Sequence, residues 1–388
     1  MSARPTIEHP LMGANLRTLL ATVRTAGPIP ARHWPLLAAM FGSALARAPL
    51  SALESAIATL RTRRHDMPPP VFVIGHWRSG TTHLHNLLGK DPRFGHISPL
   101  MSGLPDNVLT LVRWLRPLLE KALPEDRHVD RVAVTPDSPQ EDEIPLASLQ
   151  PLSVFHAVYF PLRFERRFDA GVFFDGVDER AIARWERRHV QWLRKVSIAV
   201  GGRRLLIKNP VYTGRIARLR ALWPGARFVH IVRDPFAVFR STLLYYRKLL
   251  PGLALQPFEH LDLERFVLRC YARLMARYEA QAAALGPHEL VELRYEELVG
   301  DPLGQLARVY EQLQLGDFET ARPAIERYLD SIRDYRRNTL PPLEPEQIER
   351  IRTWWAPQIE RWGYAAPEPA PPELDSAPHP DVVATQRP

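Results

Sequence analysis

A chain of 388 residues, 45% of them apolar, is long enough to bury one large core or two small ones. Its net charge is +8, and only five of its 51 basic residues are lysines (Lys90, Lys121, Lys195, Lys208 and Lys248), a balance that favours anionic ligands or anionic surfaces without choosing among them. The single cysteine, Cys270, excludes an internal disulfide framework and any zinc site built from several cysteines, and makes the reducing cytoplasm the expected compartment.

Residues 1–65 read as a helical N-terminal extension, with Leu16, Leu19, Leu20 and Val23 at helical spacing. The opening "MSARPTIEHPLMGANLRTLL" lacks the basic-then-apolar order of an export signal. The most hydrophobic early segment, "WPLLAAMFGSALARAPL" (34–50), is too short to span a bilayer and is interrupted by Arg47. The expectation is therefore a soluble protein, or one peripheral at the inner face of a membrane. "RTRRHDMPPP" then ends the helical region, because its prolines cannot continue a helix.

From 66 to 365 apolar strands alternate with helices. The predicted strands are "VFVIG" (71–75), "RRLLIK" (203–208), "RFVHIV" (227–232) and "ELVELRY" (289–295). The helices between them are "TTHLHNLLG", stopped at Gly89, "TGRIARLRALWPG", and "PFAVFRSTLLYYRKLL" with proline in its first turn. This alternation predicts an α/β domain: a P-loop-like central parallel sheet flanked by helices on both faces. Residues 95–200 are less regular, with loop-like runs such as "RVAVTPDSPQEDEIPL", and read as an insertion that contributes the acceptor site. Within it, "NVLTLVRWLRPLLEKAL" could border an apolar tunnel or touch a membrane. The proline-rich stretch 366–388 is expected to be a disordered tail.

The chemistry concentrates in "VFVIGHWRSGTTHLHNLL". Gly75 and Gly80 have the spacing of a Walker loop, with threonine where the lysine belongs. A strand ends, glycines let the backbone approach an anion, and the amides of Gly80, Thr81 and Thr82 open a helix whose N-terminus favours negative charge. Arg78 and the hydroxyls of Ser79, Thr81 and Thr82 add donors. Without that lysine, and without an apolar run ending in aspartate to hold magnesium, a metal-free site for one phosphate is the better reading. In "RFVHIVRDPFAVFRS", Arg233 ends a strand and Ser241 lies two helical turns on, so a ligand at the strand's carboxyl end can touch both. Two phosphate sites at the ends of two strands imply a nucleotide carrying phosphates on both sides of its ribose.

"RSGTT" after a strand, "VRDPFAVFRS" and "RYEELVGDP" together resemble the sulfotransferase family, over roughly residues 70–364. Within it they are similar to the bacterial branch, of the mycobacterial lipid and menaquinone type, and to the tyrosyl-protein branch. The resemblance implies the donor substrate 3′-phosphoadenosine 5′-phosphosulfate (PAPS), its product the 3′,5′-bisphosphate, a hydroxylated and lipid-like acceptor, and neither metal nor nucleic acid. Carried over by position, Arg78, Ser79, Gly80, Thr81 and Thr82 hold the 5′-phosphosulfate, while Arg233 and Ser241 hold the 3′-phosphate. Arg78 stands where the cytosolic branch has lysine, and His83 where that branch has the tryptophan that packs on adenine. The glycine-rich closing loop of the cytosolic branch is absent; "RDYRRN" (333–338) offers Arg336 and Arg337 in its place.

Sulfuryl transfer needs an anion clamp, charge relief on the bridging oxygen and a base for the acceptor hydroxyl. Lys208, in "LLIKNPVYTGRI", resembles the family's lysine that contacts the transferring group. Two residues compete as base. Glu141 sits among the crowded carboxylates of "DSPQEDEIPL", where neighbours raise one another's proton affinity. His96, in "DPRFGHIS", lies close to where the tyrosyl-protein branch carries its catalytic glutamate, and imidazole suits neutral pH. A P-loop kinase-like phosphotransferase and a non-catalytic nucleotide-binding protein remain as alternatives, and the oligomeric state is open.

Overall fold

Four consecutive apolar residues give β1 (Val71–Ile74) no polar face, and the strand lies fully buried at the middle of a sheet. In the computed structural model, which describes residues 9–63, 65–120, 135–333 and 340–367, β1 pairs in parallel with β3 (Arg204–Lys208) on one side and β4 (Arg227–Val232) on the other. β2 (Phe94–Gly95) adds outside β3 and β5 (Leu290–Arg294) outside β4, giving the order β2-β3-β1-β4-β5 with every pairing parallel. β2 was not among the predicted strands; two residues carry no periodicity to read. Because the chain leaves β1 toward opposite edges, the carboxyl end of β1 is the topological switch point, where open α/β sheets bind ligands.

Alternate residues of β1 enter different layers. Val71 and Val73 pack with Leu84, Leu87, Leu88, Leu206 and Val229 beneath the helix Thr81–Leu88. Phe72 and Ile74 join Leu205, Ile207 and Phe228 in a larger core on the other face, shared with the helices Glu179–Ala199 and Leu263–Ala282. Leu11, Leu19, Met40, Ala44 and Ala58 belong to this same core, so the N-terminal helices are packed onto the α/β unit. The stretch 95–200, read as less regular, contains the helices Glu143–Leu149, Phe155–Tyr159, Phe164–Phe173 and Glu179–Ala199.

One expectation is overturned here. The segment 34–50 is not broken at Arg47: a single helix of 30 residues runs Trp34–Arg63, through both Arg47 and Pro49. By length and composition alone it is long and apolar enough to cross a membrane. The guanidinium does not interrupt it because Arg47 turns inward and donates to the carbonyls of Met12 and Ala14, each at 2.9 Å. Arg336 and Arg337, and the tail from residue 368, lie outside the described residues.

Candidate active site

The loop after β1 is shaped by three residues in the left-handed region: Gly75 (φ 147°), Arg78 (φ 69°) and Gly80 (φ 100°). Gly75 has no room for a side chain, since a β-carbon there falls 2.5 Å from the carbonyl oxygen of Ile231. Thr213 pins it, accepting from its amide at 2.8 Å and donating to its carbonyl at 3.1 Å. The Ser79 hydroxyl donates to the His76 carbonyl at 2.8 Å, so it closes the loop from within. Thr81 then opens the helix, with Gly80 at its N-cap. A β-carbon on Gly80 would meet the Tyr295 ring at 2.3 Å, so the loop surface here is bare backbone beside an aromatic face.

The two motifs read from the sequence converge. Arg78 Nε donates to Ser241 Oγ at 2.9 Å, and Arg233 Nη1 donates to the Arg78 carbonyl at 3.1 Å. The Arg233 guanidinium also lies 4.6 Å from the centre of the Tyr295 ring, and His83 meets that ring edge-on at 6.5 Å. Tyr295, the first residue after β5, was missed by the sequence reading, although it lies inside the quoted "RYEELVGDP". Arg78, Arg233 and Ser241 thus form one cationic, hydroxyl-bearing corner at the carboxyl ends of β1 and β4.

Across β1 lies a second cluster. Lys208 pairs in register with Val73, and shares a sheet face with Leu206, which packs beneath the Thr81–Leu88 helix. It is buried, and its Nζ donates to Glu141 Oε2 at 2.6 Å. Glu141 Oε1 is buried without a hydrogen-bond partner among the described residues. The next residue of the strand end, Asn209, donates to Asp142 Oδ1 and Glu143 Oε2, each at 2.9 Å. Tyr212 donates to the other oxygen of Asp142, and Ser153 to Glu143 at 2.7 Å. Burial pushes Asp142 well above the usual carboxylate range, with Glu143 and Glu141 adding to it against the opposing hydrogen bonds of Tyr212 and Asn209. The crowding argument thus bears on Asp142, with burial the larger cause, while Glu141 is the member of the triplet that reaches Lys208.

His96 is placed differently. Its Nε2 is engaged with the Asp137 carbonyl at 2.8 Å. Burial lowers its pKa below the ordinary value, and the nearby charges are Arg203, Asp137 and Lys90. Gln140 N bonds the Ile97 carbonyl at 2.8 Å, so both candidate bases lie on one paired strip of chain, but only Glu141 touches Lys208. His85 is engaged with the Leu206 carbonyl at 3.3 Å, beneath the helix. Among the described residues no group of three His, Cys, Asp or Glu side chains is placed to hold a metal.

A strand–glycine loop–helix unit, a two-arginine corner and a lysine–carboxylate pair gather at the carboxyl ends of the central strands, where an α/β sheet can receive an anionic ligand. The sequence profile of the sulfotransferase family matches residues 69–319. The omega-hydroxy-beta-dihydromenaquinone-9 sulfotransferases Stf3 of Mycobacterium bovis and Mycobacterium tuberculosis are each 34% identical over 312 residues, spanning 80% of this chain and 79% of the relative. The chain belongs to the sulfotransferase family and is a sulfotransferase. The fold agrees with the crystal structure of STF9 from Mycobacterium avium (TM-score 0.65, 17% identity, 93% of this chain and 98% of that one). It agrees also with STF1 from Mycobacterium tuberculosis H37Rv (TM-score 0.61, 20% identity, 88% and 90%). Family membership sets aside the kinase-like alternative.

Proposed function

We propose that the enzyme transfers a sulfuryl group from PAPS to a hydroxyl of a lipid-like acceptor of the hydroxylated isoprenoid-quinone class. The observation that carries the reading is the Lys208–Glu141 pair, 2.6 Å apart and one strand from the phosphate loop, with one carboxylate oxygen left over. The donor fits the lining: the bare backbone at Gly80 and the arginine corner suit a ligand with anionic groups at two points. The acceptor class rests on the Stf3 relatives, which act on a hydroxylated menaquinone derivative.

Each group then has a task. Arg78 and the amides opening the Thr81–Leu88 helix bind the 5′ end, while Arg233 and Ser241 bind the 3′-phosphate and the Tyr295–His83 pair stands beside them. PAPS supplies the activated sulfuryl group and a stable bisphosphate leaving group. Lys208 holds positive charge where the bridging oxygen gains negative charge. Glu141 accepts the proton of the acceptor hydroxyl at Oε1 while Oε2 keeps it fixed on Lys208. No covalent enzyme intermediate is needed.

The test is incubation of the purified chain with isotopically labelled PAPS and hydroxylated isoprenoid quinones, followed by mass spectrometry. The expected product carries one added sulfate, formed without added metal. In parallel, calorimetry should show 3′,5′-adenosine bisphosphate binding that Arg78→Ala or Arg233→Ala weakens at least tenfold. Full affinity in both variants overturns the donor site; binding without transfer to any hydroxylated quinone overturns the acceptor class.

A further inference from the structure

The helix Trp34–Arg63 turns its polar side chains toward the protein. Beside the core residues Met40, Ala44 and Ala58, its protein-facing side carries half-buried Ser43, Arg47 and Ser51 and buried Glu54 and Thr62, and each is satisfied there. Arg47 donates to the Met12, Gly13 and Ala14 carbonyls. Glu54 takes a salt bridge from Lys195 at 2.8 Å and the amides of Leu109 and Thr110 at 3.1 and 3.0 Å. Ser43 bonds the Met12 carbonyl, Ser51 bonds Asn107 and Thr62 bonds the Ala58 carbonyl. The outward stripe is apolar: Trp34, Ala38, Leu45, Ala46, Leu53 and Leu60 are exposed, Trp34, Leu45 and Leu60 by more than 60%. Water-facing helices invert this arrangement, keeping their charges outside.

Charge completes the pattern. Between residues 9 and 63 the only acidic residue is Glu54, which is buried against Lys195. Arg32 precedes the apolar stripe and Arg61 and Arg63 follow it, all exposed. The helix Leu16–Ala26, packed alongside, adds exposed Leu16 and Leu20 together with exposed Arg17 and Arg24. An apolar strip rimmed by arginines, with no exposed carboxylate between residues 9 and 63, is complementary to an anionic lipid surface. We infer that this face is a membrane-docking surface, on which the Trp34–Arg63 helix lies in the plane of an anionic bilayer. It does not cross the bilayer, because its opposite face is covered along its length by the protein and holds an ion pair. The inference goes beyond sulfuryl transfer and is independent of the acceptor's identity.

The test is sedimentation of the full chain with vesicles of equimolar phosphatidylglycerol and phosphatidylcholine, and with phosphatidylcholine alone. The expected result is co-sedimentation with the anionic vesicles, weakened by added salt and at least tenfold weaker for the triple variant Leu45→Gln/Leu53→Gln/Leu60→Gln. The far-ultraviolet circular dichroism and urea midpoint of that variant should be unchanged, which shows that it is folded. Arg17→Gln/Arg32→Gln/Arg61→Gln should lose the preference for anionic over neutral vesicles. Protein left in the supernatant, or equal binding by wild type and the leucine variant, overturns the inference. So does a solution dimer that the leucine variant dissociates, which would make the face a contact between copies. Neither donor nor acceptor enters this assay, so its failure is separate from failure of the transfer reaction.

Discussion

At the scale of single residues, the proposed mechanism turns on Glu141. Three carboxylates in a row were visible in the sequence, but which one meets Lys208 was not, because that depends on where a helix begins. Asp142 stands just before the helix Glu143–Leu149 and Glu143 opens it, and both side chains turn into the interior. Glu141, just before it, reaches Lys208. Glu141→Gln keeps the shape and an acceptor for Lys208 but loses the base, so kcat should fall by roughly 10²–10⁴-fold, with bisphosphate affinity within about twofold of wild type. Single-turnover kinetics with saturating PAPS would measure it. A Glu141→Gln enzyme of near-normal kcat, beside a dead His96→Asn, would move the base to His96. The shape of the loop after β1 was legible because glycine spacing and strand–helix order constrain backbone directly. Tyr295 was not, since nothing local marks a tyrosine that meets Gly80 across the sheet.

At the scale of elements, the long strands and their helices were readable from continuous apolar runs and proline or glycine stops. β2 was not, and neither was the role of the strand end at β3. Asn209 ties that end together: its amide bonds the Val73 carbonyl at 3.2 Å, and its side chain holds both Asp142 and Glu143. Replacing it with leucine, which keeps the branched shape but is larger and has no donor, leaves two buried carboxyl groups short of a donor, each costing about 1–3 kcal/mol. We expect Asn209→Leu to lose about 2–4 kcal/mol in urea unfolding, with an unchanged m-value and a weakened Lys208–Glu141 site. A loss below about 1 kcal/mol would mean that Tyr212 and Ser153 suffice to hold the acidic loop. The N-terminal helix shows why pattern reading misjudged its length. Periodicity assumes that charges face water, and here Arg47 and Glu54 face the protein.

At the scale of the whole molecule, the buried histidines pull stability down as pH falls, against buried Asp142 and Glu143, whose raised proton affinity acts in the opposite sense. His9, beside the Leu253 carbonyl, His76 under the phosphate loop and His156 between two carbonyls are each lowered by burial to about 4. His189 is lowered to about 3, enclosed by Trp185, Tyr212 and Trp223. In the unfolded chain each returns to an ordinary value near 6.5. As pH falls through 6.5 the unfolded state therefore takes up protons that the folded state refuses until about pH 4, and stability declines over that window. Each histidine contributes at most about 1.4 kcal/mol per pH unit. Four of them acting together remove several kcal/mol between pH 7 and pH 5, a large share of the roughly 5–15 kcal/mol that holds a typical domain folded. They lie in the N-terminal segment, the phosphate loop and the 95–200 stretch, so the acid response belongs to the shared core and not to one site. Urea midpoints at pH 7, 6 and 5 should fall steadily. His189 offers the sharpest check, because neither ring nitrogen has a hydrogen-bond partner among the described residues. His189→Phe should remain folded and lower the slope of stability against pH by about one proton's worth across that window. An unchanged slope would show that His189 already exchanges its proton in the folded protein, and would remove it from the group that makes the enzyme acid-sensitive.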